Sequence, residues 1–142
     1  MSIGYSEITS TISLITSTYL AYRTHKRDAL QIKKDKNETE KKNKADLTAR
    51  IYSVGKSSHR MKIANIGIAS AYNINIDVLE GGEIMSSHDL DSKFPYPKLD
   101  QHQSLDLILS IWIGAPNRVH MRLTWSDAFS ESNEKELHVS VT

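Results

Sequence analysis

The chain of 142 residues contains no cysteine. It can therefore form no disulfide framework and carry out no thiolate chemistry, a pattern typical of cytosolic proteins. The first ten residues also contain no lysine or arginine, whereas a secretory signal peptide begins with a positively charged segment. Both absences predict a cytoplasmic protein that is not exported through a signal peptide.

Motifs of enzymatic catalysis are missing as well. No serine lies in a nucleophile-elbow pattern. The string Gly55-Lys56-Ser57 resembles the end of a phosphate-binding loop, but that motif requires glycine where this chain has Arg50. Because no set of polar residues converges into an active-site pattern, we expect a protein that is not an enzyme and needs no cofactor.

The six histidines show no metal-binding spacing, because none lies two to four positions from another. His120 and His138 fall on consecutive predicted strands. Together with Glu136 and Asp106 they could hold a zinc ion, which leaves a metal-dependent enzyme as a remote alternative. Surface histidines on an exposed sheet face explain the same residues, so we predict no metal site.

Charge is distributed unevenly along the chain. Residues 1–44 hold nine lysines or arginines and five acidic residues, a net charge of +4, whereas residues 45–142 have a net charge of −3. Five acidic residues interrupt the basic run across residues 23–46, and no aromatic residue lies there to stack on a base. Nucleic-acid binding is therefore not expected. We predict two parts, a helix with a charged connector at 1–44 and a globular domain at 45–142.

Residues 3–22 predict an amphipathic helix with a single charge, Glu7, and eight serines or threonines. Ile3, Leu14 and Leu20 widen its apolar face. The main apolar residues recur in steps of three and four, the spacing of a helix that packs along one side. These residues, named the heptad stripe below, are Tyr5, Ile8, Ile12, Ile15, Tyr19 and Tyr22. An isolated helix of this length is marginal in water, so we predict that the stripe is the association face.

Three placements of this helix are open from the sequence. It can pack on a partner protein or on a copy of itself, or it can lie on a membrane surface. It is also long enough to span a bilayer, which takes about 20 residues, and Arg23, Lys26 and Arg27 would then hold its C-terminal side in the cytoplasm. Its many hydroxyls disfavour spanning. We expect a cytoplasmic location, with the inner membrane as the alternative, and either a solvated helix or an extended linker from Arg23 to Asp46.

The stretch Lys62–Val78 predicts a strand, a tight turn and a second strand. Apolar residues alternate on both sides of the turn, and the second set is Tyr72, Ile74, Ile76 and Val78. Between the two runs lies Asn65-Ile66-Gly67, whose asparagine and glycine suit a sharp reversal.

Further alternating runs predict the remaining strands. Phe94-Pro95-Tyr96-Pro97 fits an edge or crossover, because its prolines remove backbone donors, and Glu83–Met85 fits a short strand. The other apolar sets are Leu47, Ala49 and Ile51; Leu105, Leu107, Leu109, Ile111 and Ile113; Val119, Met121, Leu123 and Trp125; and Leu137, Val139 and Val141. About seven short strands in about 98 residues predict a mainly β protein, a seven-stranded immunoglobulin-like sandwich preceded by an α-helix.

Two residues near the chain's end have a structural interpretation. Trp125 alternates with inward residues and is predicted to be core, and Asp127 is predicted to be a turn residue that bonds its own backbone.

The pattern Asn65-x-Gly67-x-x-x-Ala71-x-Asn73 resembles bacterial adhesion-related immunoglobulin-like domains, in which a strand ends in an Asn-x-Gly turn and the next begins with Ala-x-Asn. The whole chain is similar to a group of uncharacterised bacterial proteins with a short N-terminal helix, a charged connector and a sandwich. Their motifs are Phe-Pro-x-Pro, a leucine-rich strand and Leu-Thr-Trp-x-Asp, found here at Phe94–Pro97, Leu105–Leu109 and Leu123–Asp127. The resemblance implies the fold and no particular activity.

These observations predict a non-catalytic interaction or accessory module. In this hypothesis the sandwich is displayed on a helical stalk, and the stalk associates with a partner protein or with itself. The loops Gly81–Asp91 and Asp127–Asn133 are candidate binding surfaces of the sandwich. A membrane-anchored protein, with Ile3–Tyr22 spanning and the sandwich in the cytoplasm, is the alternative.

Overall fold

A computed structural model describes the backbone of residues 5–141 and the side chains of residues 12–141. Its first element is helix α1, Tyr5–Asn43, of 39 residues. The predicted start at Ile3 lies outside the described residues. The helix continues through the charged run, so the solvated-helix interpretation is confirmed and the linker is wrong. Glutamate, lysine and glutamine favour helix, and Lys41 and Lys42 suit the negative end of the helix dipole.

The chain divides into two compact units, Met1–Thr39 and Glu40–Thr142. The last turn of α1 therefore belongs to the second unit, whereas the sequence predicts a boundary after Lys44. The second unit contains seven strands, which are β1 Leu47–Ser53, β2 Ser58–Asn65, β3 Ala71–Glu80, β4 Tyr96–Leu99, β5 Ser104–Ser110, β6 Arg118–Ser126 and β7 Asn133–Ser140.

All strand pairs are antiparallel. They form a three-stranded sheet in the order β1-β2-β5 and a four-stranded sheet in the order β4-β3-β6-β7. One apolar core draws buried side chains from both sheets. This arrangement confirms the predicted mainly β architecture of an N-terminal helix followed by seven strands in a sandwich-like fold. Pro95 precedes β4 and Pro97 is its second residue, and β4 is an edge strand as predicted.

The predicted strand pair around Asn65 needs two corrections. β2 and β3 flank the turn as expected, but they lie in different sheets, so the turn carries the chain from one sheet to the other. Register shifts between Tyr72 and Asn75, where Asn73 has a φ of 49°. This irregularity turns Tyr72 outward, with 45% of its surface exposed, while Ala71 and Ile74 are buried.

Two other predicted strands differ from the observed elements. The segment Glu83–Met85 lies in and after a 3₁₀ turn, Gly82–Ile84, and helix α2, Ser87–Lys93, follows it. The side chain of Asp89 in α2 accepts a hydrogen bond from the Ile108 N–H at 2.9 Å, which caps the open edge of β5. β5 itself ends at Ser110, so the predicted strand extension to Ile113 is wrong.

The inward faces of β6 and of the first β-hairpin agree with the prediction. All four apolar residues of the β6 set are buried, as are Leu47 and Ile51 of β1, while Ala49 is half-buried. In the last strand Val139 is buried, and Leu137 and Val141 are half-buried against the core.

Candidate functional site

The heptad stripe is exposed along the described part of α1. The exposed fractions are 61% for Ile12, 65% for Ile15, 62% for Tyr19 and 68% for Tyr22. The side chains of Tyr5 and Ile8 lie outside the described residues. Four large apolar side chains on one face of a helix form the kind of surface that marks an interaction site.

Apolar side chains are also exposed on other faces of α1. The sequence predicts that Leu14 and Leu20, beside the stripe, broaden the association face. Two further exposed apolar side chains lie within the charged run. Exposed on α1 outside the stripe are Leu14, Leu20, Leu30 and Ile32.

The hydroxyls beside the stripe are satisfied by the helix itself. Thr16 and Thr18, which flank the stripe, each donate a hydrogen bond to the carbonyl four residues earlier, at 2.6 Å for Thr18. Thr24 does the same at 2.8 Å. A hydroxyl bonded to its own helix can be covered by a partner without losing a hydrogen bond. This face is therefore less polar than its content of serine and threonine indicates.

A separate property of α1 concerns membranes. Among the helices described within residues 5–141, none joins sufficient length to the apolar character that a bilayer crossing requires.

Asn65 is a buried polar residue at the end of the sandwich where β1 begins. Its amide donates to the carbonyls of Ala69, at 2.7 Å, and Leu99, at 3.0 Å. Its Oδ1 accepts from the backbone N–H groups of Asp46, at 3.2 Å, and Gly67, at 3.0 Å. One side chain thus joins its own turn to two distant segments of the chain, a role beyond the local turn that the sequence predicts.

Gly67 lies against the chain that leaves α1. A Cβ added at this position would lie 2.7 Å from the carbonyl carbon of Ala45 and 2.8 Å from its Cα, with the Asp46 nitrogen closer still. These are backbone atoms and cannot rotate away. Glycine is needed here because two backbones approach closely.

Asp127 also binds the chain that leaves α1, through its carboxylate. One carboxylate oxygen accepts from the N–H groups of Phe129 and Ser130 in its own turn, as predicted, and the other accepts from the Ala45 N–H at 2.9 Å. Partial burial opposes ionisation of this carboxyl, but the donated hydrogen bonds outweigh it and lower the pKa of Asp127. Trp125, two residues earlier, is 7% exposed and belongs to the core as predicted.

The last residue of α1 and the residues after it make further contacts with the sandwich, which the sequence does not predict. The carbonyl of Asn43 accepts from the Phe129 N–H at 3.0 Å, and the ammonium group of Lys44 lies 4.1 Å from the centre of the Phe129 ring. Lys135 pairs with Asp46 at 2.7 Å. Residues 43–46, named the junction below, are therefore a bonded part of the sandwich. No local pattern reveals these contacts, because their partners are remote in sequence.

His120 and His138 are neighbours as predicted, but Asp106 does not lie with them. His120 and His138 lie opposite each other on β6 and β7, and their rings stack with centroids 4.0 Å apart. Glu136 Oε2 lies 3.2 Å from His120 Nε2, and Arg122 beside it lowers the pKa of Glu136, with His120 adding to the shift. Asp106 lies on β5, in the other sheet. Within the described range, no cluster of three or more potential ligands could hold a metal ion.

The two predicted binding loops of the sandwich are ordered structures. The Gly81–Asp91 segment contains the 3₁₀ turn and most of α2, and its Ile84 and Met85 are buried. The Asp127–Asn133 turn is held by hydrogen bonds that Asp127 accepts from the Phe129 N–H and that the side chains of Ser130 and Asn133 donate.

A third apolar surface lies at the end of the sandwich away from the junction. Trp112 is half-exposed and Ile113 is fully exposed in the loop between β5 and β6. The alternating pattern predicts Ile113 to be inward. The turn sequence Gly114-Ala115-Pro116-Asn117 directly after it is the signal that could have placed Ile113 in a loop.

Protein-family models, curated proteins and solved structures include no match to this chain.

Proposed function

We propose that this protein is a non-catalytic interaction module in which the heptad stripe of α1 binds another helix, belonging to a second copy of the chain or to a partner protein. The observation that carries this proposal is the exposure of Ile12, Ile15, Tyr19 and Tyr22, each more than half open to solvent on one helical face.

The free energy available from covering this face is large. Full burial of one such apolar side chain contributes about 1.5–3 kcal/mol relative to exposure. An isolated helix is stabilised mainly by packing of its apolar face, so a partner helix stabilises α1 while it binds. The internally bonded hydroxyls of Thr16 and Thr18, which flank the stripe, support close packing of the two helices.

We further propose that the sandwich has immunoglobulin-like topology. In the lettering of that fold, β1, β2 and β5 correspond to strands A, B and E, and β3, β6 and β7 to strands C, F and G. β4 pairs with β3, as an added C′ strand does, instead of joining the A-B-E sheet. The bacterial proteins with an N-terminal helix and an immunoglobulin-like sandwich, which the sequence resembles, remain the proposed family.

In this proposal the sandwich is the domain that the association brings together or presents. Its edge strands and exposed loops, including the Trp112–Ile113 loop, are available for contacts with other molecules. The proposed setting is the cytoplasm, with contact at the inner membrane as the alternative.

Light scattering on the full-length chain tests the association. We expect the wild-type chain to form a defined oligomer, alone or with a helical partner, and Ile12→Asp with Ile15→Asp to abolish it without changing the melting of the sandwich. Ser13→Asp with Ser17→Asp is the matched control, because it adds the same charge to the same helix outside the stripe.

Two results would contradict the proposed self-association of the chain. The first is a wild-type chain that stays monomeric at all concentrations reached. The second is an oligomer that both pairs of aspartate substitutions weaken to the same extent, since the stripe would then have no special part in association.

A further inference from the structure

We infer that the partner of the heptad stripe is the same segment of a second copy, running antiparallel, and that the pairing is confined to residues 5–22. This inference rests on the proposed function and adds to it the identity and the direction of the partner helix.

The spacing of the heptad stripe is the same in both directions. Its steps are three, four, three, four and three residues. An antiparallel pair centred between positions 13 and 14 therefore brings every stripe residue opposite a stripe residue of the second copy, with these heptad positions facing across the pair: Tyr5 with Tyr22, Ile8 with Tyr19, and Ile12 with Ile15. Such self-complementarity is what a two-fold interface requires.

The heptad positions beyond Tyr22 favour the antiparallel direction. Continuing the same steps along α1 gives Lys26, Ala29, Lys33 and Lys36, and the described side chains from Arg23 to Thr39 are exposed. In a parallel, in-register pair each of these lysines would face its own copy across an interaxial distance of about 8–10 Å. Lysine at the seam of a coiled coil is destabilising, and here lysine occupies three of the four seam positions that follow Tyr22.

An antiparallel pair removes this repulsion. With a rise of 1.5 Å per residue, the two copies of Lys26 lie roughly 37 Å apart along the axis. This separation is several times the Debye length of about 8 Å at physiological salt. The basic halves of the two helices leave the paired segment in opposite directions, so no pair of lysines meets at the seam.

The positions that flank the stripe do not oppose this choice. In heptad terms the flanking positions of the paired segment are occupied by Thr9, Thr11, Thr16 and Thr18. Charged residues at these positions normally select the orientation of paired helices, and here none is present. The direction is therefore decided by the lysines that follow the stripe.

Disulfide trapping of the full-length chain tests the direction, because the natural sequence contains no cysteine. Chains carrying Tyr5→Cys are mixed with chains carrying Tyr22→Cys, one of them with an added tag so that the mixed product has its own mass. The antiparallel pair predicts a mixed disulfide between the two variants. Tyr22→Cys alone should form none, because its two copies lie roughly 25 Å apart and a disulfide requires Cα atoms within about 4.4–6.8 Å.

Ser17→Cys is the control, because this residue lies outside the stripe and should form no disulfide in either direction. Efficient trapping of Tyr22→Cys with itself, without the mixed product, would overturn the antiparallel inference and leave the proposed association intact. A dimer that traps in neither set would also overturn the inference. A wild-type chain that stays monomeric in light scattering would instead overturn the proposed self-association.

Discussion

Asn65 is a single buried side chain on which three segments of the sandwich depend. Its four hydrogen bonds reach the junction at Asp46, the turn at Gly67 and Ala69, and the end of β4 at Leu99. A buried group that loses its partner costs about 1–3 kcal/mol, so the environment of Asn65 admits few other residues. Gly67 lies in the same turn as Asn65, and because it has no Cβ it leaves room for the junction.

Gly67→Ala should therefore destabilise the sandwich by about 1–3 kcal/mol, the range for forcing extra volume into a packed site. Gly55→Ala is the control, since a Cβ there meets only the Ser58 Cβ at 3.9 Å. Urea unfolding of both variants measures the difference. Equal unfolding midpoints would show that the junction can move away from Gly67.

The two tryptophans differ in burial, and this predicts different costs of removal. Trp125→Ala should lower the free energy of unfolding by about 3–5 kcal/mol, because it empties a core site. Trp112 is 50% exposed, so Trp112→Ala should cost under about 1 kcal/mol. Urea unfolding monitored by circular dichroism compares the two variants. A loss at Trp112 as large as that at Trp125 would mean that the β5–β6 loop is packed in solution.

At the scale of elements, the junction joins the end of α1 to two loops and one strand of the sandwich. Asp127 holds the Ala45 N–H, and Lys135 on β7 pairs with Asp46. The contribution of Asp127 to the stability of the fold depends on its charge. Burial raises the pKa of this carboxyl, but the hydrogen bonds that it accepts in the folded state outweigh burial and lower the pKa.

A lowered carboxyl pKa stabilises the fold above the ordinary pKa of 3.8, and this stability is lost as the pH falls through the folded-state pKa. We expect acid to destabilise the sandwich below about pH 4, and Asp127→Asn to make this loss shallower. Urea unfolding over a pH series measures both slopes. Some loss should remain in the variant, because backbone and lysine contacts outweigh burial and lower the pKa of Asp89 as well. Parallel curves for the two proteins would contradict the assigned role of Asp127.

At the scale of the whole molecule, the division into two units falls within α1 and not after it. The last residue of the helix and the residue after it share backbone hydrogen bonds with the sandwich, because the Phe129 N–H donates to Asn43 and the Ala69 N–H donates to Lys44. A domain boundary drawn at the end of the charged run would cut through these contacts.

Two truncations test where the sandwich begins. A chain of residues 40–142 should melt like the sandwich of the full-length protein. A chain of residues 45–142 lacks the carbonyls of Asn43 and Lys44, which accept hydrogen bonds from Phe129 and Ala69, although the Phe129 N–H keeps its second acceptor, Asp127. Two hydrogen bonds at about 0.5–1.5 kcal/mol each correspond to a melting temperature lower by roughly 4–8 °C for each kcal/mol lost. Differential scanning calorimetry compares the two. Identical melting would show that the helix end adds nothing to the sandwich.

Local patterns in the sequence predict much of this architecture. Side chains in a strand alternate with period two, so the inward set of β6 from Val119 to Trp125 follows from the sequence alone. The heptad stripe follows in the same way from helical spacing. A capping serine at Ser86 with Asp89 three positions later is also a local signal for α2, although the apolar pattern around it favoured a strand.

The sequence by itself determined the helix, the seven strands and the exposed stripe, because each depends on neighbours within a few residues. Tertiary structure alone decided the rest. β5 stops at Ser110 because its partner β2 begins opposite, at Ser58, and Ile113 is left in solvent. Tyr72 turns outward because the register shifts at Asn73. The bond between Asp127 and Ala45 joins residues 82 positions apart, and such a contact exists only once both sheets have folded around one core.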